Sequence, residues 1–328
     1  MATSEAGLLP DKLPVVDLKG LGTPEGDAAI ARELDDAFGG IGFAYFANTP
    51  ISQAQQDAIF AASRAFHALP DADKRAIDMN SFHRGYMAPK TSLIQTSSVA
   101  KVTKPNYSES FMFMHEVAPD DPRFGLPLQG PNQWPAALPS FREEVLAYQA
   151  AMERFCKQLL RPVALALGLP ADHLAPFFDK PTTFLRLLHY PPQAPDSPED
   201  QFGSAPHTDY GFLTILLQDM SGGLEVRRKD GVWLKATPIR GTYVVNVADM
   251  LSRWTNGRWQ STPHRVKNLS GGDRYSCPYF FDMDMDATVE VLPSCTSAEN
   301  PPRHPPVLYG DYLLERLNKN YAYRQPAA

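Results

Sequence analysis

Pro206-His207-Thr208-Asp209-Tyr210-Gly211 is the stretch on which the reading of this chain turns. His207 and Asp209 stand two residues apart, so on extended backbone both side chains project to one face. A ring nitrogen and a carboxylate oxygen then reach a single ion without a helix to arrange them. His264, in Pro263-His264-Arg265-Val266, lies far along the chain, where a later strand of a barrel would bring it alongside. Two histidines and one carboxylate on one side of a metal leave its other positions open.

A lone His-X-Asp occurs by chance in many chains. Arg274-Tyr275-Ser276 makes the pattern specific. Gly271-Gly272 supplies a turn after His264, and the strand that follows puts Arg274 and Ser276 on one face by its period of two. A guanidinium fork and a hydroxyl would then point together at one carboxylate. Two His and a carboxylate with open positions are the donor set of non-heme Fe(II) oxygenases. A zinc hydrolase also uses such a set with water in the open position, but it has no need of a carboxylate clamp and wants a separate general base.

The run from His207 to Ser276 resembles the 2-oxoglutarate/Fe(II) dioxygenases of the isopenicillin N synthase-like superfamily. The likeness includes Gly223-Leu224-Glu225-Val226, Asp230-Gly231-Val232-Trp233, Asn246-Val247-Ala248-Asp249-Met250 and Thr255-Asn256-Gly257-Arg258. It extends to Leu13-Pro14-Val15-Val16-Asp17-Leu18, to Gly42-Phe43-Ala44-Tyr45 and to residues 185–192, and so covers nearly the whole chain. One departure is Asn48-Thr49-Pro50, where the family usually has Asn-His-Gly; that His is not a metal ligand.

The resemblance implies a mainly β fold, a double-stranded β-helix (jelly-roll) core with flanking α-helices. It further implies Fe(II), 2-oxoglutarate and O2, with oxidative decarboxylation of the keto acid to succinate and CO2 coupled to oxidation of a second substrate. Hydroxylation, desaturation and ring closure all remain open. Two rivals stand beside it: an oxidase on the same fold that uses no keto acid, and a non-catalytic metal-binding barrel.

The bulk numbers agree with an ordinary globular enzyme. The 328 residues suffice for one large domain or a core with a helical annex. We expect an N-terminal region over 1–120 packing on a jelly-roll core over 121–328, the two forming one compact unit. A net charge of −6 without a basic run argues against nucleic acid. Cys156, Cys277 and Cys295 have neither metal-site spacing nor a disulfide pattern, which fits a reducing compartment. No apolar run reaches the roughly 20 residues of a membrane span, and the N-terminus has no basic-then-apolar signal. The expectation is a cytoplasmic enzyme on a small-molecule substrate, with no membrane and no obligate protein partner.

Along the chain, residues 13–18 and 41–46 read as strands and 27–38, 51–69 and 71–77 as helices. The polar stretch 81–110 reads as a lid over a site or as disorder. A long helix is expected after Ser140, capped by its hydroxyl with Glu143 three residues on. It carries Phe141, Val145, Tyr148, Met152, Phe155 and Leu159 on one stripe and ends at Gly168. Residues 182–190 begin a series of short strands at 212–217, 224–226, 232–234, 243–247 and 274–281, a pattern that favours a jelly roll over a parallel sheet. A terminal helix covers 309–321.

His207, Asp209 and His264 are therefore the expected metal ligands, with Arg274 and Ser276 as the carboxylate clamp. Tyr190 precedes Pro191 as the carboxylate-binding tyrosine does in relatives, although Tyr-Pro-Pro is also a common strand end. Leu188 stands where many relatives carry Asn. Arg186 shares the face of Leu188 and Tyr190, and is preferably a salt-bridged framework residue or else a partner for an acidic group on the substrate. Phe280 shares the face of Arg274 if alternation persists through Pro278, and in relatives that position lines the substrate pocket. Tyr107, Phe111 and Phe113 are candidates for the opposite wall or ordinary core aromatics. Asp282, Asp284 and Asp286 read as a hard-cation site or, preferably, as an exposed strand exit. His304 receives no role.

Overall fold

A computed structural model describes residues 12–94, 97–194 and 196–324. The chain opens with β1 (Val15–Asp17), α1 (Pro24–Gly40), β2 (Phe43–Ala47), α2 (Gln53–His67), α3 (Asp71–Arg75), β3 (Gly85–Met87) and β4 (Glu109–Met114). Next come α4 (Phe141–Ala166), β5 (Thr182–Tyr190), β6 (Ser204–His207), β7 (Leu213–Gln218), β8 (Leu224–Arg227) and β9 (Trp233–Lys235). The last are β10 (Tyr243–Val247), α5 (Asp249–Trp254), β11 (His264–Val266), β12 (Arg274–Asp282), β13 (Thr288–Val289), β14 (Val307–Leu308) and α6 (Tyr309–Asn320).

Helix starts follow local chemistry. Thr23 accepts from the Gly26 N–H ahead of α1, and Ser52 with Gln55 forms a complete capping box on α2. The box expected at Ser140 does not form. Ser140 has helical φ and ψ of its own, so its hydroxyl caps nothing and the stripe from Phe141 to Leu159 holds α4 by burial instead. The helix ends at Leu167 with Gly168 at φ 72°, a left-handed stop.

Eight strands form the main sheet in the order β1-β2-β10-β7-β12-β5-β4-β3, faced by the four-stranded sheet β6-β11-β8-β9. Every pairing in the two is antiparallel except β1 with β2. This is the jelly-roll core that the motifs imply. One face of the main sheet packs Tyr279, Phe281, Leu185 and Leu187 against the helices, including Phe155 and Leu159 of α4. The other face meets the small sheet, where Leu188, Tyr190, Leu224, Val226 and Val266 pack together.

The strand carrying the clamp runs through Pro278 without a shift. Arg274 pairs with Tyr190 and Ser276 with Leu188; Phe280 pairs with Phe184 in the same register. Pairing to β5 lapses over Cys277 and Pro278, where the missing N–H would fall, and then resumes in phase. Alternation therefore survives, with Arg274, Ser276, Pro278 and Phe280 turned toward the small sheet.

Candidate active site

Strand pairing explains how candidate ligands far apart in sequence meet. His207 closes β6 and His264 opens β11; the two are direct partners across the ladder, with ring centroids 4.3 Å apart. Asp209 follows two residues after His207. Its Oδ1 lies 3.7 Å from His207 Nε2 and its Oδ2 3.7 Å from His264 Nε2. These separations are too long for hydrogen bonds, and all three donor atoms lie within 4.8 Å of one another. Two imidazoles and a carboxylate grouped this closely would suit a divalent first-row ion that keeps open positions.

The surroundings fix the ligands' form. His207 Nδ1 faces the Ala205 carbonyl at 2.7 Å and His264 Nδ1 the Thr262 carbonyl at 3.2 Å, so each Nδ1 donates and each Nε2 keeps its lone pair for the site. Asp209 Oδ2 accepts from Thr214 Oγ1 at 2.6 Å and Asn246 Nδ2 at 2.8 Å. Burial, reinforced by His264, pushes His207 down to about 4, which keeps the imidazole neutral. Burial acts to raise Asp209, but His264, His207 and the two hydrogen bonds outweigh it and hold the carboxyl below its usual range. A neutral His207 and an ionised Asp209 are the forms in which such groups bind a divalent metal.

Beside the triad lies an inner chamber of about 630 Å³, open mouth included, lined by Arg274, Ser276, Tyr190, Leu188 and Pro278 among others. Arg274 is 1% exposed. Its Nε donates to the Gly222 carbonyl at 2.6 Å, and its two terminal nitrogens lie 3.4 Å from Ser276 Oγ and Gln218 Oε1. The guanidinium also sits 4.6 Å over the Tyr190 ring. Among the described residues no carboxylate pairs with it.

An outer chamber of about 780 Å³, open mouth included, adjoins the first across Asn106, Arg186, Ser204, His207, Asp209 and Phe280. Phe280 meets Phe184 edge-on at 6.3 Å. Arg186 donates to Ser110 Oγ at 2.9 Å and approaches Met87 Sδ at 3.4 Å, again with no carboxylate partner among the described residues. Among the described residues the framework contacts of Arg186 are thus a hydroxyl and a thioether rather than a salt bridge.

Tyr107 and Phe111 do not line either chamber. Tyr107 is partly exposed and donates its N–H to the Phe202 carbonyl, while its neighbours turn inward. Asn106 Oδ1 accepts from Ala205 N and Ser108 Oγ donates to the Gly203 carbonyl, both at 2.9 Å, which pins this segment to β6. Phe111 and Phe113 are fully buried in a cluster with Phe66, Trp134 and Phe141. Alternation along β4 gives the chamber Met112 instead.

Asp282 is no exposed exit either. It is 4% exposed, accepts from Phe212 N and Tyr309 Oη at 2.7 Å each, and lines the outer chamber. Burial raises its carboxyl to about 7. The described part of 81–110 contributes Ser92, Leu93 and Ile94 to that chamber; residues 95 and 96 of the expected lid lie outside the described residues. Leu313, Leu317, Asn320 and Tyr321 close it from the C-terminal side. Their sequence signals only an amphipathic helix, so nothing in it distinguishes a chamber wall from a packing face.

The fold and a two-histidine, one-carboxylate site beside a buried arginine define a non-heme iron oxygenase. The chain belongs to the 2-oxoglutarate/Fe(II) oxygenase family. Residues 181–283 match the 2OG-Fe(II) oxygenase superfamily, and residues 13–137 match the N-terminal region described for the non-haem dioxygenase in morphine synthesis. The 2-oxoglutarate-Fe(II) type oxidoreductase hxnY of Emericella nidulans is 33% identical, with 98% of this chain and 95% of that one covered. The 2-oxoglutarate-dependent dioxygenase citB of Monascus ruber is 36% identical over 94% of this chain and 95% of its own. A full-length Neurospora crassa protein, solved in complex with α-ketoglutarate and thymine, superposes with a TM-score of 0.84 at 29% identity, covering 97% of this chain and 98% of that one. The protein is a 2-oxoglutarate-dependent dioxygenase that uses Fe(II) and O2. Among the described residues no helix is long and apolar enough to cross a membrane.

Proposed function

We propose that His207, Asp209 and His264 hold the Fe(II), that Arg274 and Ser276 hold the distal carboxylate of 2-oxoglutarate, and that the outer chamber takes a small organic substrate. The observation that carries this reading is Arg274: a fully buried guanidinium with no carboxylate partner among the described residues. An uncompensated buried charge costs several kcal/mol, so a site that keeps one is built for an anion arriving from outside. Fe(II), when bound, supplies O2 activation driven by oxidative decarboxylation of the keto acid to succinate and CO2.

The chain's own residues do the rest. Ser276 offers a hydroxyl beside the guanidinium, Tyr190 holds the guanidinium plane from its face, and Leu188 and Pro278 keep that end of the chamber apolar. The wall shared by the two chambers puts a substrate C–H next to the metal edge. Phe184, Phe280 and Tyr210 favour a flat, unsaturated body there, and Arg186 favours a carboxylate or carbonyl oxygen on it. The thymine bound to the Neurospora protein, and a relative such as kihadalactone A synthase of Citrus sinensis at 32% identity, support a small organic substrate.

In this reading residues 1–120 and 121–328 act as one unit, since β1 to β4 belong to the same sheet as β5, β7, β10 and β12. The three cysteines are buried and unpaired, which fits a reducing setting.

Succinate release tests the assignment. With Fe(II), 2-oxoglutarate and a panel of small aromatic and heterocyclic acids and carbonyl compounds, a panel member should stimulate succinate formation and emerge oxidised. Succinate formation that no panel member stimulates would contradict the substrate assigned to the outer chamber.

A further inference from the structure

Asp249 opens α5 and touches both loops that carry the ligands. Its Oδ1 accepts from Ser261 Oγ at 2.6 Å, three residues before His264. Its Oδ2 accepts from Thr208 Oγ1 at 3.2 Å, between His207 and Asp209. Its N–H donates to the Asp209 carbonyl at 2.8 Å. One carboxylate thereby links the His207–Asp209 loop to the approach to His264.

A fourth partner comes from the C-terminal helix. Arg316 Nη2 lies 2.9 Å from Asp249 Oδ2, and the guanidinium sits 4.7 Å over the ring of Tyr210, the residue next to Asp209. The side chains of Arg316 and Asp249 are only 24% and 20% exposed, so solvent screens the pair less than an open surface one. On the same helix Leu313, Leu317 and Asn320 recur at three- and four-residue spacing and wall the outer chamber. A shift of that stripe moves Arg316 with it.

We propose that Asp249 and Arg316 are positioning residues that fasten the substrate-facing helix to both ligand loops. The function reading assigns neither residue a role; this inference rests on its choice of His207, Asp209 and His264 as ligands. The ties run through backbone and hydroxyls rather than the ligand atoms. Their loss therefore loosens the ligand set without removing a donor, as partners beyond the ligands do in metal sites.

Co(II) serves as the probe, because its binding and visible absorption need neither substrate nor turnover. Asp249→Asn should weaken Co(II) binding roughly 10- to 100-fold, and Arg316→Met by about 3- to 10-fold. Arg316→Lys should recover part of the loss, since an ammonium reaches Asp249 without stacking on Tyr210. Arg253, also on α5, donates instead to the Pro305 carbonyl at 2.7 Å, so Arg253→Met should lower Tm yet bind Co(II) as the unmodified protein does. Unchanged Co(II) affinity and absorption in both Asp249→Asn and Arg316→Met, with only Tm lowered, would overturn the inference and leave the ligand assignment standing. Undiminished Co(II) binding in His264→Ala would instead overturn the ligand assignment, and this inference with it.

Discussion

The inner and outer chambers share a wall and the metal edge, yet they are built differently. The inner one is lined mostly from strands, by residues such as Tyr190, Arg274, Ser276 and His264, held by ladders on either side. The outer one draws on residues 92–94, on Tyr210 and on α6, all outside the two sheets. A strand-built wall offers little freedom to vary without disturbing register, whereas a loop and a terminal helix can change side chains one at a time. The inner chamber thus suits the keto acid that every cycle requires, and the outer one suits the partner that distinguishes one oxygenase from another.

Substitutions at the shared metal edge should have the largest effect. His207→Ala, Asp209→Ala and His264→Ala should each abolish succinate formation while circular dichroism and Tm stay close to those of the unmodified protein. Near-normal turnover in any one of them would show that the two chambers do not meet at these ligands.

The next effect should fall on the inner chamber alone. Arg274→Ala should raise the 2-oxoglutarate requirement by about 30-fold to several thousand-fold, the equivalent of roughly 2–5 kcal/mol for truncating one partner of a buried charge pair. Arg274→Lys should restore part of it, since an ammonium cannot make the forked contact. Arg186→Gln should leave the keto-acid requirement alone and weaken an acidic substrate about 10- to 150-fold, as loss of a charge-assisted hydrogen bond worth about 1.5–3 kcal/mol. A keto-acid defect in Arg186→Gln would show that this arginine, on the wall the two chambers share, serves the keto acid rather than the substrate.

The smallest effect on turnover, and the sharpest test of facing, comes from adjacent phenylalanines. Phe280→Ala should enlarge the outer chamber and lower the ratio of substrate oxidised to succinate formed, with keto-acid affinity unchanged. Phe281 is fully buried and stacks on Phe178 at 5.0 Å. Phe281→Ala should leave that ratio alone and lower stability by about 3–5 kcal/mol, read as a denaturant midpoint shift. The reverse pattern would mean that β12 changes register at Pro278.

The same division governs what the sequence discloses. A period of two sets the faces of Arg274, Ser276 and Phe280 on β12, and the structure keeps that phase; Asp209 lies two residues beyond the end of β6 and still meets His207 and His264. Of the two readings offered for Tyr107 and Phe111, the chamber wall does not hold among the described residues; Asn106, Ser108 and Met112 face the chambers instead. Asp282 reads as a strand exit by its neighbours Asp284 and Asp286, yet hydrogen bonds to Phe212 and Tyr309 draw it inside. The α6 wall leaves no mark beyond amphipathicity, since contact with a chamber and contact with a core require similar side chains.

Anaerobic titration of 2-oxoglutarate into the Fe(II)-loaded protein, followed by the visible charge-transfer absorption of the chelate, tests the central claim most directly. The account predicts saturable absorption in the unmodified protein, none in His207→Ala, and the same absorption displaced to much higher keto-acid concentration in Arg274→Ala. Saturation at the same concentration with and without the Arg274 guanidinium would contradict it, because the buried arginine would then hold something other than 2-oxoglutarate.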